Sequence, residues 1–92
     1  MKKNVASELH RLVASVRTAD EAQELLAALL TPAERHALAE RWQIVHLLLR
    51  GTPQREISET LGVGVATVTR GAKELKSGRG IFQKFHRRLY GR

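Results

Sequence analysis

The sequence predicts an all-α protein of six short helices, on three observations. No stretch alternates apolar and polar residues for long enough to mark a strand. Apolar residues recur at spacings of three and four, and helix start and stop signals punctuate the 92 residues at short intervals. The first helix is carried by Val5, Leu9, Leu12, Val13 and Val16. Thr18-Ala19-Asp20-Glu21 then reads as a capping box, in which the threonine oxygen accepts from an exposed helical N–H and the glutamate reaches back. Behind it, Ala22, Leu25, Leu26 and Leu29 form a second stripe. Thr31-Pro32-Ala33-Glu34 repeats the box and adds a proline at the first helical position, where no N–H is needed. That third helix is expected to run through Leu38, Val45 and Leu48 to Arg50, with Gly51 closing it.

Thr52-Pro53 restarts a short helix that Gly62 stops after Leu61. Val63-Gly64 leads into a fifth helix from Val65 to Lys76, and Ser77-Gly78-Arg79-Gly80 breaks the chain again. The last helix, from Ile81 to Tyr90, carries Ile81, Phe85 and Leu89 four apart. With no linker or repeat, residues 1–92 read as one domain. Residues 1–50 are its scaffold for dimerisation, 52–76 a helix-turn-helix, and 80–90 a C-terminal helix. So short a chain cannot hide two wide apolar stripes alone, and mutual burial in a homodimer is the expected remedy.

Lys and Arg number 16 against 9 Asp and Glu, a formal charge of +7. The excess is uneven: residues 1–50 net +1 and residues 51–92 net +6. A basic second half suits a polyanion, and four aromatic residues (Trp42, Phe82, Phe85, Tyr90) are too few to stack single-stranded bases. Double-stranded DNA is the expected partner. Cysteine is absent, which excludes a disulfide framework, a thiolate nucleophile and cysteine-ligated metal. His10, His36, His46 and His86 include no pair three or four apart, so no metal site is expected. Glu8, His10 and Arg11 interrupt any apolar region behind Lys2 and Lys3, which argues against a signal peptide. No apolar run approaches the roughly 20 residues of a membrane span. The expectation is a cytoplasmic protein that is not an enzyme.

The informative stretch is Thr52–Lys76, TPQREISETLGVGVATVTRGAKELK. Two short helices around a glycine turn make the helix-turn-helix pattern, although an ordinary helical hairpin with a glycine turn shares it. Ile57, Leu61, Val63, Val68, Ala72 and Leu75 are expected to face inward. Val65, Ala66, Thr69 and Lys73 are left outside, short enough for the backbone to enter a major groove.

At these residues the chain resembles the Trp repressor family. Leu30–Lys76 carries LTP-x-ER, IV-x-x-LL-RG, the QRE opening of the helix-turn-helix and LG-x-G-x-AT-x-TRG. The segments on either side match in helical character only, and the N-terminal arm is expected to be short. The resemblance implies an intertwined homodimer that binds palindromic operators with L-tryptophan as corepressor. The Trp repressor is itself a standard example of helix-turn-helix docking and of water-mediated base contacts, so those expectations are inherited from it.

By position, the resemblance places Gln54 and Arg55 near the DNA backbone and a guanine edge, and an arginine can give guanine two parallel hydrogen bonds. Gly64, Val65, Ala66, Thr67 and Thr69 match the groove-facing end of the reading helix, and Lys73 and Lys76 are expected to contact phosphates. Ser58 stands where a lysine is common. Arg41 and Arg70 match the arginines that sandwich the indole ring, and Thr31 and Gly71 match further pocket positions, Gly71 by letting the ring approach the backbone.

Glu74 departs from the family serine that helps bind the ligand's amino group. It can capture an ammonium, or it can pair with Arg70 four residues earlier and leave a regulator that ignores tryptophan; the pairing is the working expectation. A regulator with another effector, and a helical interaction module or replication-initiator-like DNA-binding domain, are the alternatives. The segment GRGIFQKFHRRLYGR carries Arg79, Lys84, Arg87, Arg88 and Arg92 and no acid. It is expected to cap the dimer core through Ile81, Phe85 and Leu89 and to add phosphate contacts.

Overall fold

The computed structural model describes residues 4–91, so Lys2, Lys3 and Arg92 lie outside the described residues. Six helices follow one another: α1 (Val5–Ala14), α2 (Ala19–Leu29), α3 (Pro32–Leu49), α4 (Gln54–Leu61), α5 (Val65–Ser77) and α6 (Ile81–Tyr90). Among the described residues there is no strand, and no helix is long and apolar enough to cross a membrane. The chain forms two compact units, one ending at Arg35 and one beginning at His36.

In the first unit the start signals act through side chains. Thr18 Oγ1 accepts from the Glu21 N–H at 3.1 Å, while Glu21 Oε1 accepts from the Arg17 N–H, one residue ahead of the cap. At Thr31 the box is reciprocal: its hydroxyl accepts from Glu34 N–H at 3.2 Å, and Glu34 Oε1 accepts from Thr31 N–H at 2.8 Å. Caps of this kind contribute about 1 kcal/mol each. The Arg35 guanidinium donates to the carbonyls of Ala27 and Leu30, satisfying acceptors that the end of α2 would leave open. Neither α1 nor α2 has a buried residue, and Val5, Leu9, Val13, Leu26 and Leu29 all remain exposed.

The second unit is built on the break at Gly51. Thr52 N–H donates to Leu47 C=O and Gly51 N–H to Leu48 C=O, the paired bonds of a Schellman stop, with Gly51 at φ +87°. The chain therefore turns sharply into α4, and Ile57 and Val68 meet Ile44 of α3 in one core. Leu47, Leu48, Leu61 and Val63 pack around it. Ile57 and Val68 are fully buried, and each such side chain contributes about 1.5–3 kcal/mol. Gly62, at φ +70°, ends α4 in the left-handed conformation.

In the single chain the apolar stripe of α6 expected to cap a dimer core stays open. Ile81, Phe85 and Leu89 point outward, at 43%, 44% and 64% exposure. The side toward α3 carries Phe82 and His86, both half-buried, and Tyr90, which stacks on His46 of α3 while 49% exposed. Both triplets repeat every four residues, so periodicity alone does not choose between them.

Candidate nucleic-acid interface and effector cavity

Helix α5 divides into three stripes at roughly 100° per residue. Val68, Ala72 and Leu75 face the core side, with Val68 fully buried and the other two half-buried. Val65, Ala66, Thr69 and Lys73 form an exposed stripe, with Val65 open to 53%. Thr67, Arg70, Gly71 and Glu74, at i, i+3, i+4 and i+7, form the third and line a cavity. Thr67, which the resemblance places at the groove-facing end of the helix, lines the cavity; it follows Val65 by about 200° around the helix.

The exposed stripe sits at the head of the helix-turn-helix. Gly64 precedes α5 as its N-cap and gives no side-chain cap to the first turn. Thr69 Oγ1 donates to Gln54 Oε1 at 3.0 Å, tying the first turn of α4 to α5. Gln54 is exposed. Arg55, beside it, is exposed and makes no ion pair among the described residues. Lys73 and Lys76 lie exposed further along α5. Ser58 is half-buried, and its hydroxyl donates across the turn to the Val63 carbonyl. Ser58 C=O in turn accepts from the N–H groups of Gly62 and Val63. Ser58 is therefore a clamp on the turn rather than an outward-facing group.

The cavity, of about 200 Å³, has a second wall from Ala37, Glu40, Arg41 and Ile44 of α3, again at i, i+3, i+4 and i+7. Two guanidinium groups and two carboxylates thus surround an apolar floor of Ile44 and Gly71. The expected Arg70–Glu74 ion pair is not formed: among the described residues only Arg11–Glu8 and His36–Glu40 come within 4.0 Å. The order arginine-then-glutamate is the less favourable one for pairs four apart on a helix. Thr31 lies in the first unit, where it caps α3; the cavity's lining comes entirely from the second. Ala37 and Glu40 were not singled out from the sequence, though their spacing from Arg41 and Ile44 is the signal that finds them.

Gly71 has a packing role as well. It is buried, and a Cβ added there would stand 2.7 Å from Ile44 Cγ2. The missing side chain lets α5 lie close against α3. Gly71→Ala is expected to destabilise the protein by about 1–2 kcal/mol, overpacking outweighing the helical preference for alanine. Chemical denaturation checks this.

A further cluster was not legible in the sequence. His46 Nδ1 and His86 Nε2 lie 2.9 Å apart, although 40 residues separate them. Burial, then His86 and Arg50, lowers the pKa of His46 below the ordinary imidazole value.

The family model described as Trp repressor protein matches residues 5–90. The chain belongs to the Trp repressor family. Among its relatives, the Trp operon repressor homolog of Aliivibrio salmonicida is 51% identical over 72 residues, covering 77% of this chain and 67% of that protein. The Trp operon repressor homolog of Vibrio cholerae is 56% identical over 59 residues, covering 63% of this chain and 57% of its own. That of Photobacterium profundum is 60% identical over 53 residues, covering 56% and 52% respectively. The matches thus span between about half and two thirds of these relatives' own length. Trp repressor family members are transcription regulators rather than enzymes, which makes this chain a repressor-like regulator.

Proposed function

We propose that this Trp repressor family protein is a sequence-specific transcriptional repressor that binds palindromic double-stranded DNA as a homodimer, with L-tryptophan as corepressor. The observation that carries the reading is the division of α5. One stripe, Val65, Ala66, Thr69 and Lys73, is small and open, while the next lines a cavity. A ligand against the second stripe bears on the helix that presents the first.

In this reading Arg55 reads a guanine edge, and the methyl groups of Val65 and Ala66 meet thymine. Gly64 lets the backbone come close. Gln54, Thr69, Lys73 and Lys76 hold phosphates, and Ser58 sets the shape of the turn. The apolar residues left open on α1 and α2 supply the surface for the second copy. The two arginines and two carboxylates of the cavity suit a zwitterion, which brings one charge of each sign. In this reading Arg41 and Arg70 stack on an indole and hold a carboxylate, and Glu74, which makes no ion pair with Arg70, takes the ammonium. L-Tryptophan fits that set of partners.

Calorimetry with the full chain tests the effector half. The native protein is expected to bind L-tryptophan, and Glu74→Ala to bind it about ten- to a hundredfold more weakly, the range for a lost charged hydrogen bond. Equal binding by the two proteins removes Glu74 from the site. Absence of heat, together with unchanged retention of a palindromic duplex in a mobility-shift assay, favours the alternative of a regulator that works without tryptophan.

A further inference from the structure

The His46–His86 contact is used by neither the DNA-reading face nor the cavity. It joins the last part of α3 to the middle of α6, and its N···N distance of 2.9 Å is that of a hydrogen bond. Such a bond needs one ring to donate an N–H and the other to offer a lone pair. One shared proton preserves it. A second proton makes both nitrogens donors and sets two cations face to face.

Among the described residues, none beside the pair offsets that second charge. Just past the end of α3, Arg50 adds another positive group. From α6, the neutral phenol ring of Tyr90 stacks on His46 at 4.7 Å between centroids and leans on His86 at 4.6 Å. Trp42 lies against His86 at 6.2 Å. No carboxylate pairs with either ring: the one histidine–carboxylate pair among the described residues is His36–Glu40. The remaining hold on α6 is slight. The core of Ile44, Ile57 and Val68, with Leu47, Leu48, Leu61 and Val63 around it, takes no residue from α6. Phe82 and Ile81 rest against Gly78 at the end of α5.

We propose that the His46–His86 pair is an acid-sensitive latch that holds the C-terminal helix on α3, and that double protonation frees α6 while the helix-turn-helix stays folded. The sign follows from His46. Its pKa is lowered in the folded protein, so the unfolded chain binds more protons below about pH 6.5. The stabilisation is complete above that value and is lost as the pH falls through the depressed one. Release would free a helix carrying Lys84, Arg87 and Arg88 on one side and Ile81, Phe85 and Leu89 beside them.

The test is amide exchange of the full-length protein at pH 7.5 and pH 5, with histidine ring protons followed across the range by NMR. Protection factors in residues 82–90 are expected to fall about tenfold or more, while those of α4 and α5 hold. The emission of Trp42, the sole tryptophan, is expected to shift over the same interval. His86→Phe keeps an aromatic ring in the stack without a titrating nitrogen and is expected to abolish the acid step; His46→Phe is expected to do the same. Should either variant fold poorly, the titration of the native chain still decides. Unchanged protection of α6 at pH 5 overturns the proposal. So does loss of α6 together with α4 and α5, or an acid step that survives in a folded phenylalanine variant.

Discussion

Truncating Ile57 to alanine is expected to cost about 2–5 kcal/mol, a large share of the 5–15 kcal/mol that holds a small domain together. Ile57 is fully buried and is the residue through which α4 meets both Ile44 of α3 and Val68 of α5. Helix α4 has only eight residues and cannot persist without that anchor, since isolated helices below about 12 residues are marginal in water. Its loss would free the turn at Gly62 and the Gln54–Thr69 bond together. Urea denaturation followed by circular dichroism is expected to show a lower midpoint. Duplex binding is expected to fail at temperatures where the native chain still binds. A midpoint within experimental error of the native value would mean that α4 is held by something other than this core.

Arg55→Ala is expected to leave the fold intact and weaken binding to the preferred duplex by about 1–3 kcal/mol, five- to about 150-fold. The fold is spared because Arg55 is exposed and makes no ion pair among the described residues. The loss should also be selective. Discrimination should relax at one base position in each half-site, whereas Lys73→Ala should weaken all duplexes alike and lower the salt dependence by about 0.9 in log–log slope. Fluorescence-anisotropy titrations against duplexes varied one position at a time separate the two patterns. A uniform loss for Arg55→Ala would demote it to a phosphate contact.

The helices and their boundaries were legible because their signals are local. Thr31-Pro32-Ala33-Glu34 folds into a reciprocal cap, and Gly51 and Gly62 adopt the left-handed conformation their positions suggest. The inward face of the helix-turn-helix was legible for the same reason, since Ile57 and Leu61 on one short helix, and Val68, Ala72 and Leu75 on the next, recur at helical spacing. Three features were not. The side of α6 toward α3 is chosen by the partners of Phe82, His86 and Tyr90 on other helices, and the stripe Ile81, Phe85, Leu89 has the same period. The Arg70–Glu74 pair was expected from spacing, yet spacing gives proximity and not side-chain direction. The role of Gly71 was expected to be an opening for a ligand ring. Its contact with Ile44 shows a helix-packing demand that only the path of α3 beside α5 reveals. The cavity itself lies between: each wall is a simple i, i+3, i+4, i+7 stripe, but that the two stripes face each other is a tertiary fact.

The central claim is that the open stripe of α5 enters the major groove of DNA, twice in a symmetrical dimer. Selection of duplexes from a random pool by the full-length protein, at near-physiological salt and with L-tryptophan present, tests it most directly. Enrichment of a two-fold symmetric sequence, lost when Thr69 is replaced by glutamate, is the expected result. A selected pool no different in sequence from the starting one would contradict it.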